Sequence, residues 1–242
     1  MGFFTLLAGR ADRAGLDPAP WRAIAECDSV VVDPHKHGLQ PYGCGAVLFR
    51  DPSVGRLYRH DSPYTYFTSD ELHLGEISLE CSRAGAAAAA LWLTFELLPP
   101  VAAAEGDGEV RHVGGGLGEV LAAGRRAALD WSELLAGSGT LALYQPPELD
   151  IVSYFPVAGT PPGLAAIDRA SARMLAEGMA DPDRPVFLST LTVSAGAFAR
   201  RHPDVTLDDE RARILRSVLM KPESETYVPS LHARVEELAR LI

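Results

Sequence analysis

Hydrophobic positions in the first half of the chain fall into short runs, and in the second half into helical periods separated by short extended stretches. Ser29-Val30-Val31-Val32-Asp33 has an apolar, β-branched centre that predicts a buried strand. A helix closing over residues 21–26 precedes it. A glycine-punctuated turn, Gly38-Leu39-Gln40-Pro41-Tyr42-Gly43-Cys44, feeds a second strand over 45–49. Residues 57–74, rich in Tyr, His, Ser and Thr, read as a long loop, and ordered loops of that length are commonly functional. An alanine-rich helix over 82–98, small enough in its side chains to pack closely on a neighbour, stops at Pro99-Pro100. Glycine and alanine dominate 101–118, which predicts a flexible connection; it has no P-loop lysine and no preceding apolar strand. Beyond it the pattern predicts a helix over 117–135, strands over 140–144 and 149–155 joined through Gln145-Pro146-Pro147, and a helix over 164–177. Strands over 186–193 and 214–220 and a helix over 229–241 complete the chain, with no internal repeat.

Composition narrows the classes. At 242 residues and 47% hydrophobic content the chain can bury a core as one large or two modest domains. A net charge of −10 argues against binding a nucleic-acid backbone, which requires clustered Lys and Arg. No apolar run approaches the ~18 residues of a membrane span, so no membrane partner is expected. Met1-Gly2-Phe3-Phe4 lacks a basic stretch, which gives no signal-peptide pattern, and Leu6 spoils a myristoylation match. Cys27, Cys44 and Cys81 are odd in number and widely spaced, which points to a reducing compartment, the cytoplasm by default, with Cys44 a small packing residue. The histidines show no metal-ligating spacing.

Candidate chemistry gathers after the first strand. Pro34 ends that strand and biases Asp33 towards an extended backbone, so His35, Lys36 and His37 are expected just past its carboxyl end. Ligand sites of open α/β sheets collect at that edge. A lysine amine, with an ordinary pKa of about 10.4, becomes a nucleophile when burial or nearby positive charge lowers that value. Flanking histidines are one source of such charge. Lys36 therefore reads either as an amine held ready for a Schiff base or as a surface lysine in a polar turn.

Asp33-Pro34-His35-Lys36, the Pro41-Tyr42-Gly43-Cys44-Gly45 turn, and Ser82-Arg83-Ala84-Gly85 ahead of the alanine-rich helix, in this order, resemble the group II pyridoxal-phosphate-dependent amino acid decarboxylases. The resemblance implies an α/β fold: the C-terminal part of a fold type I large domain over 1–100, a linker over 101–118, and a small α+β domain over 119–242. It also implies pyridoxal 5'-phosphate as cofactor, a small amino acid as substrate, and a homodimer. In that family a His-x-Asp-Ala-Ala-x-Gly-Gly segment lies on the strand before the lysine, and Gly2-Phe3-Phe4 resembles the residues immediately after that segment. The chain is thus expected to start after the aspartate that meets the pyridine nitrogen, the histidine that stacks on the ring, and most of the phosphate loop.

By the same resemblance Lys36 forms the internal aldimine, and His35 lies against the cofactor and the substrate carboxylate. Asp33 stands near the phosphate or caps the strand. Ser82 and Arg83 make a phosphate contact across the dimer, or merely begin a helix. Protonation of the carbon left after carbon dioxide departs falls to Tyr42, Tyr64 or Tyr66, each also readable as packing. His37, Gln40, His60 and His73 shape the pocket or are solvated. Beside decarboxylation stand two alternatives: a truncated subunit that keeps fold and dimer surface without activity, and a pyridoxal-phosphate-dependent carbon–carbon lyase.

Overall fold

A computed structural model describes residues 16–60, 74–77, 85–99, 116–158 and 160–242. The chain divides into two compact units, Met1–Glu119 and Val120–Ile242. In the first, α1 (Ala19–Ala23) runs into a 3-10 turn (Ile24–Glu26), and β1 (Ser29–Val32) pairs antiparallel with β2 (Ala46–Phe49). A 3-10 segment (Pro52–Tyr58) starts at Asp51, whose carboxylate accepts from Ser53 N–H at 2.9 Å. Then come α2 (Leu74–Ile77) and α3 (Ala86–Leu97).

Both strands form where the β-branched pattern places them, but their burial differs from expectation. Val31 is 69% exposed, and all four residues of β2 are exposed. An apolar run records what the strand is suited to lie beneath; in β1 Val30 and Val32 are half-buried while Val31 stands exposed. Nor does α3 pack as an alanine-rich helix is expected to: none of its residues is buried.

The second unit is an antiparallel four-stranded sheet in the order β3-β4-β6-β5, built from β3 (Leu141–Gln145), β4 (Ile151–Pro156), β5 (Ser189–Ser194) and β6 (Arg211–Val218). Its helices are α4 (Gly116–Ala136, whose first turn belongs to the preceding unit), α5 (Leu164–Ala180), α6 (Ala195–Arg201) and α7 (Ser224–Arg240). On α4, Ala128, Trp131 and Leu135 recur at helical spacing and are buried against Val152, Tyr154 and Leu215 of the central strands. Gly124 lets that helix approach the end of β6, since a Cβ there would stand 2.5 Å from the Leu219 carbonyl oxygen. A second cluster gathers Tyr144, Phe155, Ile167, Phe198 and Ile214.

Several elements depart from the sequence reading. The strand expected over 186–193 begins at Ser189, and the one expected over 214–220 spans Arg211–Val218. Helix α6 went unread because it is a seven-residue turn started by Ser194, whose Oγ accepts from Ala197 N–H at 3.3 Å. Helix α7 begins at Ser224 rather than at Pro229; the proline sits on its exposed side, where the carbonyl it leaves without an amide partner can face water.

One ion pair ties α5 to β6. Asp168 accepts from the Arg213 backbone N–H and Nε at 2.8 Å each and from Nη2 at 2.6 Å. These bonds, the side-chain one first, lower the Asp168 pKa from 3.8 to about 2. A depressed carboxyl pKa stabilises the fold above the unfolded value, and that stability fades as pH falls from about 4 towards 2. Because the pair is partly solvated, Asp168→Asn, which keeps an acceptor for the backbone N–H, is expected to cost about 1 kcal/mol at pH 7. Urea titrations of both forms should draw together as pH falls through 2 and converge below it.

Candidate functional site

Residues 33–44 form a closed turn between β1 and β2. The Lys36 N–H donates to Asp33 O at 3.0 Å and the Leu39 N–H to Lys36 O at 3.2 Å, while the Gln40 N–H reaches Pro34 O at 3.1 Å and the His35 N–H reaches Cys44 O at 3.1 Å. Two positions take left-handed backbone: Gly43 at φ 94° and Leu39 at φ 58°. A branched side chain at positive φ costs energy that the surrounding bonds must offset.

Gln40 and Cys44 pin this turn to α3. Gln40 is 8% exposed. Its amide donates to Gly38 O at 3.0 Å and to Thr94 Oγ1 at 2.7 Å, and Thr94 donates in turn to Ala90 O at 2.9 Å. Cys44 is buried, as its reading as a packing residue anticipates, with Sγ 3.8 Å from Ala87 O. Gln40 is therefore an anchor and not a solvated loop residue. Thr94, a lone hydroxyl on an otherwise apolar helix face, was the available signal for its partner. Gln40→Leu should cost about 1.4 kcal/mol and speed amide exchange over residues 36–44 about tenfold by mass spectrometry.

On this platform sit four of the candidate residues. Lys36 lies past the carboxyl end of β1, its side chain 57% exposed, with Nζ donating to Asp33 Oδ2 at 2.7 Å. That bond holds the Asp33 carboxyl below the usual carboxylate range. His35 Nδ1 donates to Cys44 O at 3.0 Å, which fixes Nε2 as the acceptor nitrogen of the neutral ring. Its ring stacks on Tyr42 at 5.1 Å and 24°, although Tyr42 is otherwise 93% exposed. Asp33 thus serves as the partner of Lys36 in this arrangement. Tyr64, Tyr66, Ser82, Arg83 and His73 lie outside the described residues. Among the described residues, no cluster of three or more His, Cys, Asp or Glu is placed to hold a metal ion, and no helix is long and apolar enough to cross a membrane.

Lys36 and Lys221 are the chain's two lysines; the rest of its 22 Lys and Arg residues are arginines.

No family model matches the chain. It is 40% identical over 81 residues to the L-tyrosine decarboxylase of Enterococcus faecium, a match covering 33% of this chain and 13% of that protein. Over 83 residues it is 31% identical to the Levilactobacillus brevis L-tyrosine decarboxylase, covering 34% and 13%. Among solved structures, Catharanthus roseus tryptophan decarboxylase in complex with L-tryptophan superposes with TM-score 0.63 at 14% identity, covering 90% of this chain and 40% of that one. Mouse CSAD in apo form superposes with TM-score 0.66 at 18% identity, covering 98% and 44%. The chain is related to the group II pyridoxal-phosphate-dependent amino acid decarboxylases and corresponds to a C-terminal portion of them. Its matches span 13% of the length of those curated relatives and 40–44% of those two solved chains.

Proposed function

We propose that this chain supplies the lysine-bearing part of a pyridoxal-phosphate-dependent amino acid decarboxylase, with Lys36 as the cofactor's covalent anchor. The observation that carries this reading is an amine just past the carboxyl end of a strand, on a turn fixed to α3 by Gln40 and Cys44. The donor set fits such a group: a primary amine reachable by a bulky aldehyde, beside an imidazole whose tautomer is already fixed. Bound pyridoxal phosphate supplies the electron sink that lets a Cα–carboxylate bond break.

In this reading Lys36 must leave Asp33 before its lone pair is available, so Asp33 acts as a resting partner for the amine. His35, through Nε2, orients the cofactor ring or the substrate carboxylate. Tyr42, Tyr64 or Tyr66 returns a proton to the substrate carbon, and Ser82 with Arg83 holds phosphate. The L-tyrosine decarboxylase relatives support an aromatic amino acid as substrate. A cytoplasmic homodimer is part of the same proposal.

A second reading, a subunit that keeps the fold without activity, draws on a specific observation: the Lys36 side chain is more than half exposed and already paired. The test is to add pyridoxal phosphate to the purified chain, reduce with borohydride, and map the modified peptide. A visible absorption band and an adduct on Lys36 are expected from the chain alone, and carbon dioxide release from L-tyrosine or L-tryptophan once the rest of the decarboxylase fold is supplied. A colourless protein with no Lys36 adduct overturns the proposal; an adduct without carbon dioxide from any amino acid even then favours the inactive subunit.

A further inference from the structure

One hydroxyl of the second unit ties its last helix to the start of its sheet. Ser138 follows α4, and its Oγ accepts from the Thr140 and Leu141 N–H groups at 3.2 and 3.0 Å, where β3 begins. Those bonds occupy the oxygen's lone pairs, so its own hydrogen goes to an acceptor, Glu236 Oε1 of α7, at 2.6 Å. Glu236 Oε2 accepts from Arg240 Nη2. One turn earlier on the same helix face stands His232, its side chain 12% exposed, with Nε2 3.8 Å from Glu236 Oε1. Its Nδ1 is buried without a hydrogen-bond partner among the described residues.

A neutral imidazole carries one N–H, which at Nε2 faces Glu236; a second proton would sit on Nδ1, buried with no acceptor. The charged groups acting on the ring are Glu236, which favours that proton, and Arg240, which opposes it, both on α7. Among the described residues no charged group of α4, β3 or α5 acts on it; the α4–β3 corner presents the hydroxyls of Ser138 and Thr140. Burial outweighs Glu236 and holds the His232 pKa below its ordinary 6.5. A depressed histidine pKa leaves stability complete above the unfolded value, and that stability is lost as pH falls through the folded one. Asp181, Glu225, Glu236 and Glu237, the carboxylates that tie α7 to its neighbours, are held below the usual range by the hydrogen bonds they accept. Of these groups, His232 alone takes up a proton between pH 7.5 and 5.0. We propose that His232, Glu236 and Ser138 form an acid-sensitive latch, which holds the last two turns of α7 on the α4–β3 corner while His232 is neutral and releases them when it is protonated. The ring then turns to water, Glu236 follows the new cation, and Ser138 loses its acceptor. Val235 and Leu238 are buried in the same turns, so acid shifts an opening equilibrium and does not by itself unfold the helix. The latch lies wholly within the second unit and stands whether or not Lys36 anchors a cofactor.

The test is hydrogen exchange by mass spectrometry on the full chain at pH 7.5 and 5.0, corrected for the intrinsic pH dependence of amide exchange. An open form that titrates near 6.5 gains up to about 30-fold in population over that interval. Residues 232–240 are expected to exchange about fivefold faster or more at pH 5.0, while β4 and β6 change less than about twofold. His232→Phe keeps a ring that takes no proton and should abolish the acceleration; His232→Gln should do the same if the phenylalanine variant fails to fold. Ser138→Ala should speed exchange of 232–240 already at pH 7.5 and leave little for acid to add. In NMR spectra the His232 ring should titrate with a midpoint below 6.5. Four results overturn the proposal: no acceleration of 232–240, equal acceleration in the His232 variants, acceleration spread evenly over β4 and β6, or a His232 midpoint at or above 6.5.

Discussion

Lys36→Arg is expected to abolish borohydride-stable incorporation of pyridoxal phosphate into residues 29–49, with no compensating signal from the turn. Arginine keeps the charge that pairs with Asp33, so the turn survives, but a guanidinium offers no free amine for an aldehyde to condense with. The chain suits this measurement, because Lys221 is its one other lysine and serves as an internal control for non-specific labelling. Asp33→Asn should act in the opposite direction. Since the Lys36 bond keeps the Asp33 carboxyl below its ordinary pKa, Asp33 stays ionised wherever an amine is reactive, and the pair does not loosen near neutral pH. Removing the charge should therefore speed labelling of Lys36 severalfold at pH 7 to 8 without moving that of Lys221. Equal labelling of Lys36 and Lys221 in the native chain would mean the turn confers nothing on its lysine.

The position of that lysine was legible in the sequence for a local reason. Pro34 removes an N–H and constrains Asp33, and these two effects end β1 where the structure ends it, one residue either way. Burial was not legible, because β-branched residues such as Val31 and Val47 report the environment a strand is suited to and carry no information about whether the covering layer is within the same segment. The role of Gln40 escaped for a related reason: its partner Thr94 lies 54 positions away, and a turn glutamine with no visible partner reads as solvated. Short-range chemistry also explains the helix errors. α6 is two turns started by a single Ser194 hydroxyl, and Pro229 mimics a helix start because proline is favoured in a first turn. The long periodic elements of the second unit, α4 and α5, emerged within three residues of their observed ends because each repeats its buried face over several turns.

Stability of the second unit should hinge on Trp131. Its side chain is fully buried and its ring meets Tyr154 at 5.2 Å and 46°, in a cluster drawn from α4, both central strands, α5 and α7. Tyr154 is equally buried; desolvation pushes its phenol well above the ordinary value, with Ser217 Oγ at 3.3 Å, so it remains a neutral packing group. Trp131→Ala removes the largest side chain of this core and leaves a cavity, which costs about 3–5 kcal/mol. With an unfolding slope of about 1–3 kcal/mol per molar urea, the midpoint should fall by about 1 M or more. Trp131→Phe is the discriminating control. Phenylalanine keeps a ring against Tyr154 and dispenses with an indole N–H that is buried without a partner among the described residues, an omission that offsets part of the lost volume. Its cost should be less than half that of alanine. Hydrogen exchange in β4 and β6 is the appropriate readout, because it isolates this unit from the other; an alanine variant whose β4 amides exchange as slowly as the parent's would show that the cluster closes around the gap and that Trp131 is not its keystone.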